Sequence, residues 1–236
     1  MLYGYYFDPT YVLIVIGMVI CMAASAHVNS TFRKYSKYRS NSGLTGAQAA
    51  KMILESQGIY DVTIQHIGGD LTDNYNPSNK VLSLSDATYN QTNVAAIGVA
   101  AHECGHAMQH AKGYAPISVR NALVPFANWG SRLSWILIIV GILFYGNGTG
   151  QTLLDLGIIA FSLAVLFQLV TLPVEFNASR RAIRVLESTG IFGNTELKYT
   201  KKVLGAAALT YVAAAASSIL QLLRLVILFG GRNDDQ

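Results

Sequence analysis

Four apolar runs constrain this chain of 236 residues more than any other feature: YVLIVIGMVICMAASA (11–26), LSWILIIVGILFY (133–145), LLDLGIIAFSLAVLFQLVTL (153–172) and AALTYVAAAASSILQLLRLVILF (207–229). Each is long or nearly long enough to cross about 30 Å of hydrocarbon as a helix. The second is the shortest and needs Asn128 to Arg132 to complete a span. Only 13% of the residues are charged, about half the usual share for a soluble domain. The fold class expected is mainly α: a four-helix membrane protein carrying a small α+β domain.

Lys and Arg are divided unevenly between the connections, which sets an orientation. Residues 1–10 and the GNGTGQ loop (146–151) contain none, whereas FRKYSKYR follows the first run and SRRAIR with LKYTKK fills the gap between the third and fourth. Residues 27–132 and 173–202 are therefore expected on the cytoplasmic side, with the N-terminus, the loop at 146–152 and the C-terminal tail outside. The net charge of +4 then reflects topology and attraction to anionic head groups, and no nucleic-acid-binding motif accompanies it. Ala24-Ser25-Ala26 has the small-residue look of a signal cleavage site. However, no basic residue precedes the run and several follow it, the reverse of a secretory signal, so an anchor is the better reading. The two cysteines, Cys21 and Cys104, do not form a disulfide framework, in keeping with a reducing compartment.

The stretch between the first two runs reads as one small domain. Thr45 is a fair N-cap for AQAAKMILESQ, with Gly58 placed for a left-handed C-terminal cap. IYDVTIQHI alternates like a half-buried strand and stops at Gly68-Gly69-Asp70. LTDNYNPSNKVLSLS suggests two further strands about a turn at 76–79. Helix propensity returns in NVAAIGVAAHECGHAMQHA and ends at Gly113.

That last helix carries the chemistry. His102 and His106 stand one turn apart on one face and can both point an imidazole nitrogen at a single tetrahedral ion. Glu103, rotated by about 100 degrees, can reach a water on that ion without ligating it, which is the logic of HExxH. Cys104 projects from the opposite face, and Gly105 suits close packing against the helix. The bland alternative, a fortuitous histidine pair, leaves two imidazoles in an apolar helix without a reason.

A catalytic zinc needs a third protein ligand and an open position. Gln109 and Lys112 stand where the metzincin pattern requires Gly and His, which excludes that class. His110 shares the face, but three His along one straight helix span about 12 Å and cannot share an ion, so it reads as a supporting or surface residue. Residues 107–154 contain no Asp or Glu; the next acids are Asp155, Glu175, Glu187 and Glu196. Asp155 falls on the outer side by the charge argument, whereas Glu175, two residues past Pro173, returns to the side of the histidines. Metal chemistry and topology both point to Glu175.

An HExxH helix, a membrane hairpin and then LPVEFNASRRA resemble the YugP-type membrane zinc metallopeptidases, related in arrangement to HtpX and the prenyl-protein CaaX protease. NYNPSNKVLSLS, AAIGVAAHECGHAMQHAKGYAP and LPVEFNASRRAI carry the likeness, which covers most of the chain. It implies a gluzincin-like zinc-peptidase domain with His102, His106 and Glu175 as zinc ligands and Glu103 as the catalytic glutamate. In one place the sequence departs from the broader group's E-[FY]-x-A-D: Ser179 fills the Asp position and Asn177 the variable one. If that Asp orients a ligand histidine through its free ring N–H, a serine does so more weakly.

The expected organisation is a first transmembrane helix (1–27), a cytoplasmic domain with the HExxH helix (28–131), a transmembrane hairpin (132–172), a cytoplasmic segment with the third ligand (173–202), and a fourth transmembrane helix with the tail (203–236). The expected activity is zinc-dependent hydrolysis of peptide bonds in membrane or membrane-proximal proteins at the cytoplasmic face of a bacterial membrane. Its partners are then a protein or peptide substrate and the lipid bilayer, with no nucleic acid. Tyr211, Arg120 and Arg181 are candidates for an oxyanion donor, each with an ordinary structural alternative. Arg224, within the fourth run, reads more simply as snorkelling to the outer interface than as a functional charge. A non-catalytic zinc-binding scaffold is the competing reading, and it has no use for Glu103. A small transporter is disfavoured by the scarcity of charge in the apolar runs.

Overall fold

The computed structural model describes residues 8–145 and 148–230. The extreme N-terminus, Asn147 and Gly146 of the GNGTGQ loop, and the C-terminal tail from 231, all assigned above to the outer side, lie outside the described residues. The described residues are mainly helical, 72%, with a small sheet. Among the described residues four helices, α1 (Tyr11–Tyr35), α4 (Ala115–Leu143), α5 (Gly148–Ser188) and α6 (Asn194–Phe229), are long and apolar enough to cross a membrane.

All four of these helices run past the apolar stretches read from sequence, α1 continuing to Tyr35. The second run and its Asn128 to Arg132 extension belong to one helix that begins at Ala115 and takes Pro125 into its interior. The third continues without a break through Pro173 to Ser188. The fourth starts at Asn194, so LKYTKK is helical. Hydropathy marks where a helix is greasy; backbone hydrogen bonding continues wherever the polar extension also has something to pack against.

The chain divides into two compact units. One gathers the chain up to Ala23, Arg120–Val170 and the chain from Tyr211 onward. It is packed through small residues and a cluster of Ile138, Leu154 and Leu225. Within it Arg224 donates to Asp8 at 3.2 Å and lies over the Tyr11 ring at 4.5 Å. The arginine in the fourth run is thus held by a carboxylate and an aromatic face near the start of α1, which is more specific than snorkelling.

The second unit comprises Ala24–Val119 and Thr171–Thr210. Its helix α2 (Gly46–Ser56) opens with a capping box, in which Gln48 N–H donates to Thr45 Oγ1 while Thr45 N–H donates to Gln48 Oε1. Gly58 and Gly113, at φ 71° and 60°, end α2 and α3 (Val94–Ala111) in the left-handed region that only glycine enters without strain. The strands are β1 (Thr63–His66), β2 (Asn74–Asn76) and β3 (Val81–Leu84), in the order β1-β3-β2. β3 is central, antiparallel to β2 across the turn and parallel to β1. It earns that place by composition: Leu82 and Leu84 are fully buried, whereas β1 shows most of its residues to solvent. Ile53, Leu54, Leu82, Leu84, Ile97 and Leu186 belong to one core that joins α2, the sheet, α3 and the later part of α5.

A candidate metal centre

Asn93 caps α3 through Ala96 N–H, and the helix then carries its histidines on a single face, with the His102 and His106 rings 4.8 Å apart and nearly perpendicular. Opposite them, α5 comes close enough for a Cβ built on Gly105 to meet the Ala178 carbonyl oxygen at 2.5 Å. No side chain fits there. The absence of one lets the α5 backbone lie against α3, and so delivers Glu175 and Ser179, on either side of Ala178, to the histidines.

Glu175 is 3% exposed. Its Oε2 lies 3.2 Å from His102 Nε2 and 3.5 Å from His106 Nε2, and the three donor atoms all fall within 4.8 Å of one another. These distances are long for hydrogen bonds. They match the edges of a tetrahedron, since ligands about 2.0–2.1 Å from zinc are about 3.3 Å apart. Two imidazoles and a carboxylate are also the donor set of many catalytic zinc sites, so the residues fit the ion.

The other ring nitrogen of each histidine is held by a side-chain oxygen. His102 Nδ1 lies 3.1 Å from Ser179 Oγ, so Ser179 takes up the orienting contact. His106 Nδ1 lies 3.1 Å from Gln109 Oε1. Gln109 is fully buried and its amide donates to the Val174 carbonyl at 2.8 Å and to Asn177 Oδ1 at 3.1 Å. Because both of those neighbours are acceptors, the amide nitrogen must face them and its oxygen must face the imidazole. His106 Nδ1 therefore donates to Gln109, and Nε2 is the nitrogen left to bind an ion. Arg181 Nε donates to the same Asn177 oxygen at 2.7 Å. Burial works against the charged form of His106, but the Glu175 contact and the charge of Glu103 outweigh it and raise its pKa.

Glu103 is buried, 8% exposed, and accepts no hydrogen bond among the described residues. Burial is the main cause that raises its pKa, opposed by His106 and His102 and assisted by Glu175 and Asp73. It stands beside the three-donor group without belonging to it. Cys104 points away, its Sγ 3.6 Å from the Ala50 carbonyl, and burial pushes its thiol up.

The remaining sequence candidates stand outside the three-donor group. His110 Nδ1 lies 3.0 Å from Tyr75 Oη on β2, outside the three-donor group. Glu196 accepts from Ser40 Oγ, Asn41 N–H and Gly193 N–H, tying the start of α6 to the loop after α1. Glu187 is exposed, and Asp155 accepts from Gln151. Arg181 holds Asn177 and lies over Tyr114 at 5.7 Å, while Arg120 and Tyr211 belong to the other unit. Gln109 and Asn177 are the supporting residues that sequence reasoning missed. Gln109 was visible only as a mismatch to another class, although its place three residues after His106 puts it within reach on the same helix.

Fold and site together define, among the described residues, a helical protein with four candidate membrane spans and a largely buried His2Glu group that could hold a metal ion. The comparisons agree. Residues 10–230 match the family described as "Putative neutral zinc metallopeptidase", and the chain belongs to it. It is 46% identical over 213 residues to "Putative membrane protease YugP" of Bacillus subtilis (strain 168), covering 90% of this chain and 93% of that one. The family's metal is zinc, with His102, His106 and Glu175 grouped as its possible ligands. No solved structure matches the chain.

Proposed function

We propose that the chain is a membrane-embedded zinc endopeptidase of gluzincin type that cleaves membrane or membrane-proximal proteins at the cytoplasmic face of the membrane. The observation that carries the reading is the grouping of His102, His106 and Glu175 donors within 4.8 Å beside a buried Glu103 that ligates nothing. Zinc in such a site supplies Lewis acidity, making water nucleophilic near neutral pH and polarising a carbonyl.

The chain's own residues do the rest. His102, His106 and Glu175 hold the ion, with Ser179 and Gln109 fixing the imidazoles. Glu103 accepts the proton of the attacking water and passes it to the leaving amine; a buried carboxylate with a raised pKa suits that exchange. The edge strand β2 meets α3 where Tyr75 Oη lies 3.0 Å from His110 Nδ1, one turn beyond His106. An extended peptide pairing with that edge would bring a scissile bond towards the metal. The basic connections after the first and third apolar runs support the cytoplasmic placement.

The test is bound zinc and casein cleavage in detergent-solubilised wild type, Glu103→Gln and Glu175→Ala. Glu103→Gln should keep zinc and lose cleavage, and Glu175→Ala should lose both. Cleavage retained in Glu103→Gln overturns the enzyme reading. Zinc retained without cleavage in the wild type would favour a non-catalytic scaffold.

A further inference from the structure

Alongside Ser179, α5 and α6 flank a groove of about 480 Å³ of which the chemistry above uses only that serine. Its floor is apolar: Leu204 is buried there, and Phe176 and Leu209 stand exposed at one end. At its centre Gly205 keeps it open, since a Cβ at that position would meet nothing within 4 Å. Arg180, Arg184 and Lys201 line its rim. All three are exposed, and none makes a hydrogen bond or ion pair among the described residues. Glu187 also lines the groove and is likewise unpaired, leaving an excess of two positive charges.

The groove has a direction. α5 and α6 are joined by the short 189–193 connection and so run antiparallel. Phe176 follows the apolar run 153–172 on α5, and Leu209 lies at the start of the run 207–229 on α6. Arg184 and Lys201 are at the opposite end, towards the connection. Along both helices, polarity therefore changes from hydrocarbon-like to cationic over the length of the groove.

We propose that this groove binds one anionic phospholipid, its phosphate held by Arg180, Arg184 and Lys201 and an acyl chain lying over Leu204 and past Gly205 towards Phe176 and Leu209. Free phosphate would have no use for the apolar floor. A zwitterionic lipid would bring a second cation to a rim that already has an excess of them. Guanidinium groups suit a phosphate because they can donate two parallel hydrogen bonds to it. A lipid in such a place gains from both burial of its chain and neutralisation of its head.

The experiment uses the full chain, purified in detergent and given equal amounts of phosphatidylglycerol and phosphatidylcholine, with bound lipid counted by native mass spectrometry. Wild type should retain the glycerol lipid at least about fivefold over the choline lipid, a difference of about 1 kcal/mol. Gly205→Leu keeps every charge but fills the groove, and should bring retention of the two lipids level. Combined Arg180→Gln, Arg184→Gln and Lys201→Gln should do the same on surface positions that do not test the fold. Lys202→Gln, an exposed charge outside the groove, should change nothing.

Equal retention of the two lipids by wild type overturns the proposal. So does glycerol-lipid retention surviving Gly205→Leu in folded protein, or lost as fully with Lys202→Gln as with the groove charges. Should Gly205→Leu fail to fold, the triple charge variant decides, and undiminished retention there overturns the proposal by itself. Complete displacement of phosphatidylglycerol by an equal concentration of inorganic phosphate would show that the apolar floor contributes nothing, and would also overturn it.

Discussion

Gly105→Ala adds one methyl group inside HExxH and should damage the metal centre without touching a ligand. A Cβ at 105 meets the Ala178 oxygen at 2.5 Å, its carbonyl carbon at 3.0 Å and its Cα at 3.1 Å, whereas ordinary contact begins near 3.4 Å. All three atoms are backbone of α5, so no rotamer can relieve the overlap. Helix propensity favours alanine by about 1 kcal/mol, and overpacking against a rigid neighbour costs about 1–3 kcal/mol, so the net effect on metal-free stability is a loss of up to about 2 kcal/mol. The geometric effect is larger. Restoring ordinary contact separates α3 from α5 by about 0.9 Å, the difference between 3.4 and 2.5 Å, several times the tolerance of about 0.2 Å that zinc ligands allow.

Glu175 and the Ser179 partner of His102 both move with α5, so zinc affinity should fall at least about tenfold, the lower bound for losing one supporting contact. The measurement is competition for zinc against a chromophoric chelator, with thermal unfolding of the metal-free protein alongside. Zinc binding at wild-type affinity, with unchanged or raised metal-free stability, would refute the idea that this close approach builds the site.

Gly205→Ala is the opposite case: it sits in helix α6 with open space around its Cβ, so it should raise stability by about 0.5–1 kcal/mol, read as an upward shift of Tm. Gln109→Met keeps the bulk but removes the oxygen that faces His106 and the donor to Val174. Zinc affinity should fall about 10–100-fold, and in a His106→Ala background the same change should have no further effect on residual binding. In metal-free protein the raised pKa of Glu103 means that the folded state holds its proton more tightly than the unfolded chain. The stability this confers is present below the ordinary value of 4.5 and is lost as pH rises through the raised value, by up to about 1.4 kcal/mol per pH unit for one proton. Denaturant unfolding of Glu103→Gln across that window should therefore show a shallower fall than wild type. Glu103→Gln also removes the charge that helps raise the His106 pKa, so the part of the His106 fall that depends on Glu103 is lost with it and acts in the same direction.

Much of this protein is legible without coordinates because its strongest signals are local. The capping box at Thr45 and Gln48, the glycine stops at 58 and 113, and the turn between β2 and β3 each depend on residues within a few positions of one another. His102, Glu103 and His106 share a helix whose geometry fixes their spacing. The chain's charge bias and the absence of acids between 107 and 154 narrowed the search for a third ligand to Glu175, which the fold brings within 3.2 Å of His102.

What sequence could not supply was anything that depends on which surfaces meet. The parallel pairing of β1 with β3 and the engagement of Arg224 by Asp8 come from contacts between segments far apart in the chain. The same holds for the hold of Gln109 on His106, which is oriented only because the Val174 carbonyl and Asn177 from α5 occupy its other side. Propensity and periodicity act along the polypeptide. The direction of a hydrogen bond, the width of a groove and the meeting of three ligand atoms are set by how close two backbones can come, and at this centre that distance is set by a glycine against a carbonyl.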